Sequence, residues 1–301
     1  MAGHFLHFDQ WIGIDQTGAA RLGGKKAAPL PVVRARRNGD VLSVGDVEWW
    51  SGLDLSQDRI GVGFRTAVVL DCVLGLPVDV QKMHPLAADV RKLLEYAAVW
   101  KPSSEIKEYG REVAAGFFSE FSAGSSDSRR ECEVLSGAQS VFKTMPWQRN
   151  IQTGTWRMWR ELGHTLRSGD VDLKIWPQEF QTSESNTRLS HVWRSHVWLF
   201  EAWPTLLWKS WLRQTSRKLE NGVQALSSMV AETRMNLHLP ESLAKLVEKD
   251  ANVADSLVMA VSAAVMDEIG VLTNPWPGFM EHPTARSEGW IIGLSPELRH
   301  V

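Results

Sequence analysis

The chain has 301 residues, 44% of them hydrophobic and 23% charged, with a formal net charge of −2. This balance excludes wholesale disorder and allows a sizeable core, and it gives no global attraction to nucleic acid, so any polyanion has to be held by a local patch. The two cysteines, Cys72 and Cys132, exclude a disulfide framework and stand at no zinc-ligand spacing.

The N-terminus lacks the basic start and apolar stretch of a signal peptide, and the longest apolar run, around Leu257 to Met266, is too short to span a bilayer. The expectation is a soluble, cytoplasmic protein with no membrane partner. Phe5 to Asp15 reads as a strand ending in Trp11-Ile-Gly-Ile-Asp15, with turns at Gly18, Gly23 and Gly24. Leu30 to Arg36 and Asp40 to Trp49 alternate as two further strands, and Asn38-Gly39 supplies a hairpin turn between them. Thr66-Ala-Val-Val-Leu-Asp71 is a continuous apolar run closing on an acid, the form of a strand covered on both faces.

Helical spacing follows at Leu86, Val90, Leu93, Leu94 and Ala97, again at Ile106, Val113, Phe117 and Phe121, and again at Trp156, Trp159, Leu162 and Leu166. Ser122 to Arg130 reads as a polar loop. His196-Val-Trp-Leu-Phe-Glu201 repeats the buried run that ends in an acid, with Pro204 at the first turn of a helix. A last long helix begins near Val253, with Asp255 expected in its first turn, where the helix N-terminus favours negative charge. Glu288 to Leu294 reads as a short closing strand or turn. The fold class is α/β: one domain over 1–301, with an antiparallel meander, parallel strands and a mainly helical insertion at about 84–170.

Three acids close apolar strand runs and a fourth opens a helix. Ligands of an open α/β sheet collect beyond the carboxyl ends of its strands, so Asp15, Asp71, Glu201 and Asp255 are expected to share one site. Taken singly, each is explained as well by a cap or a turn; the case lies in their joint placement. Crowded carboxylates repel, and Mg²⁺ or Mn²⁺ with hard oxygen ligands resolves that conflict. Two such ions would suit phosphodiester hydrolysis.

The ordered stretches Gly13-Ile-Asp15, Val68-Val-Leu-Asp71-Cys-Val-Leu-Gly-Leu-Pro77, Arg129-Arg-Glu-Cys-Glu133, Ser140-Val-Phe142, Ile175-Trp-Pro177, Phe200-Glu201-Ala-Trp-Pro204, Ala254-Asp255-Ser-Leu257 with Ala260, Ala263 and Ala264, and Glu288-Gly-Trp-Ile291 resemble a known set. They are those of the uncharacterised family numbered 429 among the domains of unknown function, whose members are predicted nucleases. The resemblance implies a ribonuclease H-like mixed sheet flanked by helices, with catalytic and metal-binding roles for Asp15, Asp71, Glu201 and Asp255. Many ribonuclease H-like nucleases carry a second acid one turn from that on the final helix; here Asn252 precedes Asp255 by three residues.

Arg188, Arg194, Lys209, Arg213, Arg217 and Lys218 lie among Trp193, Trp198, Trp203, Trp208 and Trp211. Cations that track phosphates and aromatics that stack bases hold single strands, so Arg194, Lys209, Arg213, Arg217 and Lys218 are candidate contacts to DNA or RNA. The competing reading is an amphipathic helix with a basic outer face and a tryptophan core. Arg129, Arg130, Lys143, Arg149, Arg157 and Arg160 are expected to extend the patch if they fold nearby. Three functions follow: a metal-dependent nuclease, a non-catalytic nucleic-acid-binding module, and an actin-like nucleotide-phosphate enzyme. The last is suggested by Ile14-Asp15-Gln-Thr17-Gly18, but its second phosphate loop and adenosine loop are missing from the sequence.

Overall fold

The computed structural model describes residues 7–16, 28–102, 110–122, 128–143, 151–180, 196–214 and 222–296. It begins with β1 (Gln10–Ile14), β2 (Leu30–Asn38), β3 (Val41–Val44) and β4 (Glu48–Trp50), then α1 (Gln57–Ile60) and β5 (Arg65–Leu70). The helices α2 (Val78–Met83), α3 (Val90–Val99), α4 (Arg111–Ser119), α5 (Glu131–Ser136) and α6 (Ile151–Ser168) follow. The sheet resumes with β6 (Asp172–Ile175) and β7 (His196–Glu201). Then come α7 (Pro204–Leu206), a π turn over Leu207–Trp211, α8 (Gly222–Glu232), β8 (Asn236–His238), α9 (Glu241–Val247), α10 (Ala251–Glu268) and α11 (Ala285–Glu288).

Seven strands of an eight-stranded mixed sheet run in the order β6-β7-β5-β1-β2-β3-β8, and β4 pairs with β2. The meander β1-β2-β3 is antiparallel, whereas β5 and β7 run parallel to β1. Side chains alternate across the pleat and so divide between two cores. Trp11, Ala67, Val69, Trp198 and Phe200 join the cluster that contains α10. Ile12, Ile14, Val68, Leu70, Val197 and Leu199 join the cluster that contains α3 and α6. A sheet packed on both faces explains why β5 reads as an unbroken apolar run.

One close approach fixes the α10 layer. A Cβ on Gly13 would stand 2.0 Å from the Ser256 carbonyl oxygen and 2.8 Å from the Ala260 nitrogen, so β1 and α10 meet backbone to backbone. Glycine is required there for space.

Several expectations are corrected. Asp40 to Trp49 is two strands, because Gly45 bonds to the Arg34 carbonyl and the chain then pairs with the other end of β2. The helical stripe from Leu86 to Ala97 is broken at Asp89, whose carboxylate accepts the Lys92 N–H and starts α3 afresh. Asp255 lies in the second turn of α10; the cap is Asp250, which accepts the Asn252 and Val253 N–H groups. Part of the polar Ser122 to Arg130 loop and Ile106 lie outside the described residues. No helix among the described residues is long and apolar enough to cross a membrane.

Candidate metal centre

Ile14 pairs with Leu70, and Leu70 pairs with Glu201. One residue further along two neighbouring parallel strands stand Asp15 and Asp71, and the Asp71 N–H bonds to the Ile14 carbonyl at 3.2 Å. By the pleat these two acids continue the α10 side of the sheet. α10 carries Asp255 toward them. The Ser256 hydroxyl accepts the Asp15 N–H at 3.1 Å and lies 3.0 Å from the Pro31 carbonyl, tying the strand end to the helix. Trp208, in the π turn, donates its indole N–H to Asp255 Oδ1 at 2.7 Å.

Asp15, Asp71, Glu201 and Asp255 all line one cavity of about 270 Å³ at the carboxyl edge of the sheet, together with Glu133 and Arg130. Among the described residues its lining therefore includes five acids and one cation. Its wall also includes the half-buried Trp203 and the neutral amides Gln16 and Asn252. Gln16 is 7% exposed, its Oε1 packs against Gly154, and among the described residues that oxygen has no hydrogen-bond partner.

Glu201 differs from the other three acids. It shares the row of Leu70, so the residue level with Asp15 and Asp71 is Ala202, just past the end of β7, whose N–H bonds to the Leu70 carbonyl. Both Glu201 oxygens accept from the buried Arg130 guanidinium, Oε2 from Nη1 at 2.6 Å and Oε1 from Nη2, and Oε2 also takes the Leu74 N–H at 2.7 Å. Arg130 Nε reaches Glu133 Oε1 at 2.9 Å. Burial works to lower the Arg130 pKa, but Cys132, Glu201 and Glu133 outweigh it and hold the guanidinium charged. Burial raises the Glu133 pKa, with Arg130 opposing.

Arg130 is therefore an internal counter-charge, not part of a surface patch. Arg157, 1% exposed, likewise turns inward to the Ala28 and Ser51 carbonyls and Glu161. Trp198 and Trp208 are buried in the core and offer no stacking surface. Lys209 and Arg213 are exposed. Arg149, Arg188, Trp193, Arg194, Arg217 and Lys218 lie outside the described residues.

Cys72 also lines the cavity, but burial first, then the Glu201 and Asp71 charges, push its thiol well above the ordinary value. A thiol so held is a poor nucleophile. The oxygen-only set of Asp15, Asp71 and Asp255 fits a hard divalent cation in kind. Among the described residues no three His, Cys, Asp or Glu side chains stand close enough to share one ion. Mg²⁺ is commonly held by one or two carboxylates with water completing the shell, and Asp15 and Asp71 are carboxylates at adjacent strand ends on the wall of one cavity.

Sequence reasoning missed Glu288, whose two oxygens accept the Val78 and Glu131 N–H groups, each at 2.7 Å, at the starts of α2 and α5. It also missed the Arg130–Glu201 pair, which joins residues 71 apart. No protein-family model, curated protein or solved structure matches this chain.

Proposed function

We propose that the chain is a divalent-metal-dependent nuclease of ribonuclease H-like fold that hydrolyses phosphodiester bonds in DNA or RNA, related to the family numbered 429. The observation that carries this reading is the pair Asp15 and Asp71, level on neighbouring parallel strands and facing a cavity that Asp255 enters from α10. The strand order β3-β2-β1-β5-β7, antiparallel then parallel, supports the fold assignment. The family-like stretches support the relationship, because Asp15, Asp71, Arg130, Glu201 and Asp255 from five of them line the same cavity.

Mg²⁺ or Mn²⁺, when bound, supplies Lewis-acid polarisation of the phosphate and of its attacking nucleophile. Asp15 and Asp71 hold the ion. Ser256 fixes the backbone of Asp15, and Trp208 orients Asp255. Trp203 presents an aromatic surface on the cavity wall against which a base can stack. Lys209 and Arg213 are exposed cations available to phosphates.

Labelled single- and double-stranded DNA and RNA oligonucleotides with Mn²⁺ provide the test. Wild type should cleave at least one class. Asp15→Asn and Asp71→Asn should each lose about 100-fold or more in rate, while melting temperature holds or rises as like-charge repulsion is relieved. Cleavage that persists in both variants contradicts the assignment. The absence of three convergent ligands among the described residues favours a second reading, a non-catalytic binding module. That reading predicts oligonucleotide binding without cleavage, unchanged by Asp15→Asn.

A further inference from the structure

Glu201 closes β7, and both of its oxygens are committed inside the protein. Oε2 takes the Leu74 N–H at 2.7 Å and Arg130 Nη1 at 2.6 Å, and Oε1 takes Arg130 Nη2. To ligate a cation it would have to leave a buried, permanently charged guanidinium without its partner, which is strongly unfavourable in a low-dielectric setting. Arg130 is committed as fully. Its side chain is 1% exposed, and Nε, Nη1 and Nη2 each donate to Glu133 or Glu201. Turning to a phosphate would strand those carboxylates in the same way.

What the pair holds is the turn from β5 to α2, in which Leu74 stands three residues beyond Asp71. Side chains from other elements grip the carbonyls of this turn: Trp159 Nε1 donates to Val73 at 2.5 Å, Gln178 Nε2 to Leu74 at 2.5 Å, and Gln81 Nε2 to Leu76 at 2.6 Å. A Cβ on Gly75 would stand 2.0 Å from the Glu288 carbonyl oxygen, so the turn has no room to shift that way. Glu201 supplies the grip on the Leu74 N–H, and its own carbonyl accepts the Ile292 N–H at 2.9 Å. At the far end of the pair, Glu133 Oε2 accepts the Arg130 N–H at 3.0 Å and closes the start of α5. We propose that Glu201 and Arg130 are positioning residues and ligate neither metal nor phosphate: Arg130 anchors the Glu201 carboxylate to α5, and Glu201 anchors the turn that follows Asp71, fixing where Asp71 stands on the cavity wall. This rests on the metal-dependent reading above and separates Glu201 from the ligand acids.

Amide hydrogen exchange at Leu74 in the wild-type protein, with and without saturating Mg²⁺ and with calorimetry to register binding, tests this without any substitution. The expected result is Mg²⁺ binding with the protection of Leu74 kept or increased. Exchange at Leu74 that accelerates by about tenfold or more on binding would mean that Glu201 leaves the turn for the ion. That would overturn the positioning proposal and leave the metal-dependent reading standing. No binding at all would overturn both.

Two conservative variants give an independent check. Glu201→Gln keeps the length and an acceptor for Leu74 but loses the charge, whereas Glu201→Asp keeps the charge and is one methylene short of spanning Leu74 and Arg130. Positioning predicts that Mn²⁺ affinity falls by at most about tenfold in Glu201→Gln and by more, up to about 100-fold, in Glu201→Asp. Ligation predicts the reverse order, because a ligand needs its charge. Melting temperature does not separate the two roles, since either one loses the buried pair. Folded variants whose Mn²⁺ affinities fall in the reverse order would overturn the proposal.

Discussion

Asp267, near the end of α10, is a buried acid whose ionisation opposes the fold. Burial raises its pKa from the ordinary 3.8 to about 7, with Glu268 adding to the rise and the Phe8 N–H and Arg65 working against it. The Phe8 N–H donates to its Oδ2 at 3.0 Å, and the exposed His7 ring lies 3.8 Å from Oδ1. Because the folded pKa is the higher one, the folded state binds more protons than the unfolded chain between about pH 4 and 7. The contribution to stability is fully present below the unfolded value and is lost as pH rises through about 7. Asp267→Asn keeps an acceptor for Phe8 and removes the charge. It should stabilise the protein at pH 8 by up to about 4 kcal/mol and change little at pH 4. Urea unfolding of both proteins at the two pH values checks this; an equal gain at both would refute the ionisation account.

At the scale of elements, the site is built where helices start and strands end. Glu288 joins two such starts, since one carboxylate caps both α2 and α5. Glu288→Ala leaves two N–H groups without their acceptor, at about 1–2 kcal/mol each, so a loss of roughly 3 kcal/mol is expected. Hydrogen exchange should accelerate first at Val78 and Glu131. Exchange that rises uniformly over the sheet would deny Glu288 this local role. Asp15 and Asp71 were legible in the sequence because an apolar strand run must end where the chain leaves the core, and an acid marked each exit. The special position of Glu201 was not legible. A strand covered on both faces has no alternation from which to read parity, and its register against β5 is set by pairing between segments over 100 residues apart. The short elements α5, β6, β8 and α9 were missed for a related reason: each is too brief for a period to emerge, and tertiary contacts decide their form. The tryptophans admitted two readings, a stacking surface and a packed core. Burial of Trp198 and Trp208 agrees with the core reading for these two, and Trp208 also donates to Asp255.

For the whole molecule, the net charge is −2, and among the described residues the cavity is lined by five acids and one arginine, a balance that disfavours a polyanion. Under the proposed function, a bound metal ion would reverse that local sign and so couple substrate approach to metal binding. The α/β architecture, the meander and the gathering of four distant acids at one sheet edge were all anticipated from the sequence. What it concealed was the division of labour among those acids, because the Arg130–Glu201 pair exists only after β7 and the start of α5 have packed together. The central claim, that Asp15 and Asp71 form a divalent-cation site, is tested most directly by a crystal soaked in Mn²⁺ and measured at the manganese absorption edge. The account predicts an anomalous peak about 2.0–2.3 Å from carboxylate oxygens of both Asp15 and Asp71. No peak between them at saturating Mn²⁺, or a peak bound by Glu201 with Arg130 displaced, would contradict it.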